Sequence, residues 1–100
     1  MADEAYASGS WQVRSGEEQE FVARWSDFLG WTRDNHRDLK FATLVRAEGD
    51  GSRFVSMAGF ESREARDAWK ASEGFMERFS ACRELCDEFQ GGDFSLAASF

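Results

Sequence analysis

Apolar and polar residues alternate or recur along this chain in patterns that predict seven elements. Trp11 and Val13 share one side of Ser10–Arg14, which reads as a short strand. Ser15-Gly16-Glu17-Glu18 fits a capping box, with Ser15 capping and Glu18 reaching back. A helix follows, with Phe21, Val22, Trp25, Phe28, Leu29 and Thr32 in one stripe and Glu18, Glu20, Arg24 and Asp27 opposite. Asp34–Asp38 breaks that pattern as a loop. Leu39–Glu48 and Arg53–Phe60 then alternate as two strands, and Gly49-Asp50-Gly51 joins them as a hairpin. Ser62 caps a short helix ending near Trp69, and Ser72 caps the next. The seam of that second helix runs Phe75, Phe79, Cys82, Cys86, Phe89, with Gly91-Gly92 as its stop. Asp93–Phe100 alternates as a last strand.

The order is β-α-β-β-α-β with the second helical region split in two, the α+β ferredoxin-like pattern. Met1–Ala7 is expected to be a flexible tail and 8–100 a single domain. The hairpin is apolar on both faces: Phe54, Ala58 and Phe60 on one, Val55 and Met57 on the other. Such a sheet needs cover on both sides. The chain's own helices cover one side, so the other predicts a homodimer through the sheet face.

Composition narrows the function. Net charge is −7, which argues against nucleic acid and anionic membrane, since both select clustered Lys and Arg. There is no run of 18 apolar residues to span a bilayer. MADEAYASGS lacks the charged and apolar regions of a signal peptide, so the expected compartment is cytoplasmic. Cys82 and Cys86 read as two reduced thiols packing one helix face, because a bridge between them would close almost no loop. No Cys or His cluster completes a metal site.

Aromatic residues make up 15% of the chain, more than one small core needs. Phe28, Trp31, Phe41, Met57, Phe60, Phe75 and Phe79 are therefore expected to line an apolar ligand pocket as well as core. Ser56 and Thr43 are strand hydroxyls that either meet ligand or satisfy backbone. His36 has the one side chain whose ordinary pKa suits proton transfer at neutral pH, and it is expected at the pocket mouth or in solvent. Arg63, Glu64, Arg66, Asp67 and Lys70 read as a solvated helix face.

From Gly9 to Phe100 the chain resembles the antibiotic biosynthesis monooxygenase domains. The most specific part is FESREA at a helix start followed by AWKASEGF, which places Trp69 and, six residues later, Phe75. The resemblance implies sheet-on-sheet dimers, a dimeric α+β barrel. It also implies a pocket between helices and sheet in which Trp69 orients a small aromatic, polyketide-type substrate. Oxygenating members need neither flavin nor metal, because the substrate supplies its own electrons. The resemblance departs at three positions. Ala65 stands where polyketide oxygenases carry Asn, and Phe75 where some carry Tyr. Phe79 stands where haem-degrading members carry the iron-ligating His, so no cofactor is expected. The competing readings are a homodimeric binding module for a small apolar ligand and a purely structural dimer.

Overall fold

The computed structural model describes Glu4–Phe100. Four strands and three helices follow one another as β1 (Ala5–Val13), α1 (Glu18–Asn35), β2 (Leu39–Arg46), β3 (Arg53–Phe60), α2 (Arg63–Ala71), α3 (Glu73–Arg83) and β4 (Cys86–Ser95). The strands form one antiparallel sheet in the order β2-β3-β1-β4. This is the ferredoxin-like arrangement expected from the element order.

Strand parity decides the two faces. Phe54, Ser56, Ala58 and Phe60 are buried, whereas Val55 and Met57 are exposed. Trp11 and Val13 share the buried side. Across it lie Phe21, Phe28 and Leu29 of α1, Trp69 of α2 and Cys82 of α3. Phe41, Thr43 and Val45 point the other way, onto a face that none of the described helices covers.

The hairpin turn is closed by Asp50, whose carboxylate accepts from the Ser52 amide at 3.0 Å. Ser62 and Ser72 cap as expected. Their hydroxyls accept from Ala65 N at 3.1 Å and Phe75 N at 3.2 Å. Each satisfies an amide that the first helical turn leaves free. The break between α2 and α3 is a socket for α1. The Trp31 ring occupies the space where a β-carbon on Gly74 would lie.

Several boundaries differ from expectation. β1 begins at Ala5 rather than Ser10, so Ala5–Ala7 belong to the sheet and not to a tail. Met1–Asp3 of that expected tail lie outside the described residues. β1 is a central strand, paired with β3 and β4 along its length, and the ladder holds small residues that carry no strand signal of their own. Ser15 makes no cap. The left-handed backbone of Gly16 (φ +95°) turns the chain, and the helix opens at Glu18. Glu18 does reach back, accepting from Gly16 N at 2.9 Å. Its second oxygen accepts from the Ser52 hydroxyl, and this bond chiefly holds its pKa below the usual value.

The largest difference is at the end of the chain. α3 stops at Arg83, and β4 runs Cys86–Ser95, through Gly91-Gly92. Cys86 and Phe89 are strand residues, and Asp93–Phe100 is a strand only as far as Ser95. The spacing 75, 79, 82, 86, 89 mimics a helix, but pairing with β1 takes over from Cys86. The glycines persist in a strand because rings fold over them: Phe89 over Gly91 and Phe94 over Gly92. Cys82 and Cys86 are free and buried, as expected, but lie on different elements.

Candidate functional site

Between the helices and the buried face of the sheet lies a cavity of about 250 Å³. Six aromatic side chains form a continuous arc around it. Phe28 stacks on Trp69 at 5.6 Å, and Trp69 meets Phe75 edge-on at 4.7 Å. Phe75 stacks on Phe79 at 5.5 Å, Phe79 meets Phe89 edge-on at 5.0 Å, and Phe89 lies 4.4 Å from Trp11. The floor is nearly bare. Gly9 and Gly91 face each other across the β1–β4 pair, and Gly9 faces Ser56 across β1–β3. A β-carbon on Gly9 would come within 2.8 Å of Trp11 Nε1 and 3.0 Å of Ser56 Oγ. Glycine is required here to keep the floor open, since no left-handed backbone is involved.

Polar groups in the wall are few. Trp69 Nε1 donates to Thr32 Oγ1 at 2.9 Å, and that hydroxyl donates to Phe28 O at 2.9 Å. Trp11 Nε1 donates to Ser56 Oγ at 3.0 Å. Lys70 is the one titratable side chain among the lining residues. Its ammonium pairs with Asp93 across the gap to β4 at 2.6 Å. Both are half-exposed and Gly91 is exposed, so the cavity reaches solvent on this side. An enclosure this apolar strengthens any hydrogen bond made inside it and favours a flat, mostly apolar ligand.

The expected pocket residues divide. Trp69, Phe28, Phe75 and Phe79 are brought together in the arc. Met57 also lines the cavity, although strand alternation turns its side chain to the outer face. Phe60 is not in the wall. It is fully buried behind Trp69, 4.9 Å away. Phe41 lies on the outer face, over Gly59 and beside Tyr6. Trp31 is directed away from the cavity, with Arg78 over its ring at 4.5 Å. His36 packs edge-on against Trp31 at 5.3 Å, past the end of α1, and does not stand at the pocket mouth. The parity of β2 and the outward side of α1 account for these corrections.

Sequence reasoning missed Trp11, Trp25, Phe89 and Lys70 as wall residues. Trp11 belongs to β1, and Phe89 to a segment read as helix. The usable signal was the pair of glycines, Gly9 and Gly91, each two residues from an aromatic in a strand. Arg66, expected in solvent, is buried under α2, where Nη1 donates to Tyr6 O and Phe94 O at 3.3 Å. Burial pushes the Cys82 thiol up to about 12, the mark of an inert packing residue. No group of three or more His, Cys, Asp or Glu among the described residues could hold a metal ion. None of the described helices is long and apolar enough to cross a membrane.

Solved structures give the fold its relatives. SnoaB, a cofactor-independent oxygenase from Streptomyces nogalater, superposes with a TM-score of 0.87 at 21% identity, over 98% of this chain and 97% of that one. A point variant of SnoaB gives 0.89 at the same identity and coverage. A conserved protein from Methanosarcina mazei Go1 gives 0.82 at 15% identity, over 92% and 91% of the two chains. At these identities the likeness speaks for the fold. No curated protein matches the chain. Residues 5–83 match the sequence profile described as antibiotic biosynthesis monooxygenase, a stretch covering every element except β4. This chain belongs to the antibiotic biosynthesis monooxygenase family.

Proposed function

We propose that this protein is a cofactor-independent monooxygenase acting on a small aromatic, polyketide-type substrate in the cavity beside Trp69. The observation that carries the reading is the aromatic arc itself, a flat-ligand enclosure formed by residues 28, 69, 75, 79, 89 and 11. In such chemistry an anthrone-type substrate gives two hydrogens and dioxygen gives two oxygen atoms. One oxygen becomes the new quinone carbonyl and the other leaves as water. The substrate supplies the electrons, and the protein orients it and excludes solvent. Trp69 would act by ring stacking, because its N–H is already engaged by Thr32. Incubation with anthrone under oxygen tests this. The expected result is quinone formation above the uncatalysed rate that falls in Trp69→Phe. Formation no faster than buffer would overturn the reading for this substrate class.

A second reading has a specific observation in its favour. Ala65, Phe75 and Phe79 leave the arc without a proton-transfer group, which suits a module that binds a small apolar ligand without turning it over. Saturable anthrone binding without product would select it. Haem would need another ligand than residue 79, and an unchanged Soret band on titration would exclude it.

We also propose that the outer sheet face pairs two copies into a homodimer. Phe41, Val45, Val55, Met57 and Phe94 are 36–54% exposed there, an apolar surface of the kind that marks an interface. Sedimentation at micromolar concentration should give twice the 11.4 kDa chain mass. A monomer would refute it.

A further inference from the structure

Two of the cavity's tryptophans, Trp11 and Trp69, each donate to a hydroxyl, and the two hydroxyls differ. Thr32 Oγ1 accepts from Trp69 and passes its own proton to Phe28 O, so that chain is closed. Ser56 Oγ accepts from Trp11, yet among the described residues it donates no hydrogen bond of its own. Ser56 is 8% exposed and lies in the cavity wall. Gly9 beside it carries no side chain to cover it, and a β-carbon there would sit 3.0 Å from its oxygen. A buried hydroxyl retains a donor that must go somewhere. Here the open direction is the cavity.

We infer that Ser56, held by Trp11, is the donor that fixes an acceptor oxygen of the ligand, a ring carbonyl or its enolate, at the floor of the cavity. Trp11 donates to one of the oxygen's two lone pairs and so directs the O–H away from itself. Donation by Trp11 also polarises that O–H and strengthens what it gives in turn. The ligand class is thereby narrowed from any flat aromatic to one carrying an oxygen acceptor at its deep end. The inference rests on the cavity being a ligand site. It adds the group that sets orientation.

A matched pair of probes separates the two claims: 9-fluorenone, which has a ring carbonyl, and fluorene, which has none. Tryptophan fluorescence quenching reads both affinities. The natural chain should bind fluorenone more tightly than fluorene. Ser56→Ala should weaken fluorenone about tenfold, the worth of one buried hydrogen bond, and leave fluorene unchanged. Equal losses for both probes would reduce Ser56 to packing and overturn the inference, as would unchanged fluorenone binding. Failure of both probes to bind the natural chain would overturn the ligand site itself. Because Ser56→Ala also deprives Trp11 Nε1 of its acceptor, a second readout needs no variant. The infrared carbonyl stretch of fluorenone bound to the natural chain should fall below its value in hexane. A band at the hexane position would refute the hydrogen bond.

Discussion

The two faces of the sheet are built from the same alternating strands and meet opposite fates. On the inner face Phe54 and Phe60 are 2% and 0% exposed; on the outer face Val55 and Met57, between them on the same strand, are 42% and 36% exposed. Polarity does not distinguish them, since both faces are apolar. Cover does. The inner face has three helices over it and keeps one gap, the cavity at Gly9. The outer face has rings laid flat on its own glycines, Phe41 on Gly59 and Phe94 on Gly92. Apolar alternation thus tells where a strand is half-buried or fully buried only when the covering layer is known.

Substitutions should separate the faces by size of effect. Phe60→Ala empties the packed side beneath Trp69 and should cost about 3–5 kcal/mol in urea unfolding. A loss under 1 kcal/mol would mean that the inner face is loosely packed. Alkali probes the same side through Cys82. Its folded pKa, about 12, lies above its ordinary 9.0 because burial disfavours the thiolate. The unfolded state therefore loses its proton first. That stability is whole below pH 9 and falls as pH rises from 9 toward 12, by up to about 1.4 kcal/mol per pH unit. Cys82→Ala should flatten this slope, and an unchanged slope would refute its source. Thr32→Val leaves Trp69 Nε1 buried without an acceptor and should cost about 1–3 kcal/mol by the same denaturant assay. No loss would show that water enters beside Trp69. On the other face Val55→Asp should leave the circular dichroism of the single chain intact, with its fold stability within about 0.5 kcal/mol. It should nevertheless convert a sedimenting dimer to a monomer. An unfolded spectrum would erase the contrast between faces.

How much of this was legible depended on whether the signal was local. β3 was read to the residue, and the Ser62 and Ser72 caps were right, because a hydroxyl and the amide three residues on suffice to specify them. The α1 stripe was equally local. β1 and β4 were misjudged because their pairing is not. Ala5-Tyr6-Ala7 earns strand geometry from partners at positions 58–60 and 93–95. Helical spacing survived by coincidence across the α3–β4 junction. Of the cavity wall, Trp69, Phe28, Phe75 and Phe79 are the residues expected from helix positions and resemblance. Phe89 was hidden because its segment reads as helix, and Trp11, though placed on a strand, because Gly9 beside it lay before that strand's expected start; Phe41, Trp31 and His36 fell away once strand parity and helix side were known.

Gly9 is a missing methyl group facing another missing methyl group at Gly91. The middle of the floor is thus shaped by omission, between Trp11 and Phe89 of the same two strands, while the helices supply Phe28, Trp69, Phe75 and Phe79. Restoring one carbon at Gly9 would press the floor against Trp11, Phe89 and Ser56, all within 3.0 Å, so the strand end of the arc would have to shift. A glycine-to-alanine exchange at this one central-strand position would therefore trim the space above the sheet by a single carbon, as one division of a ruler.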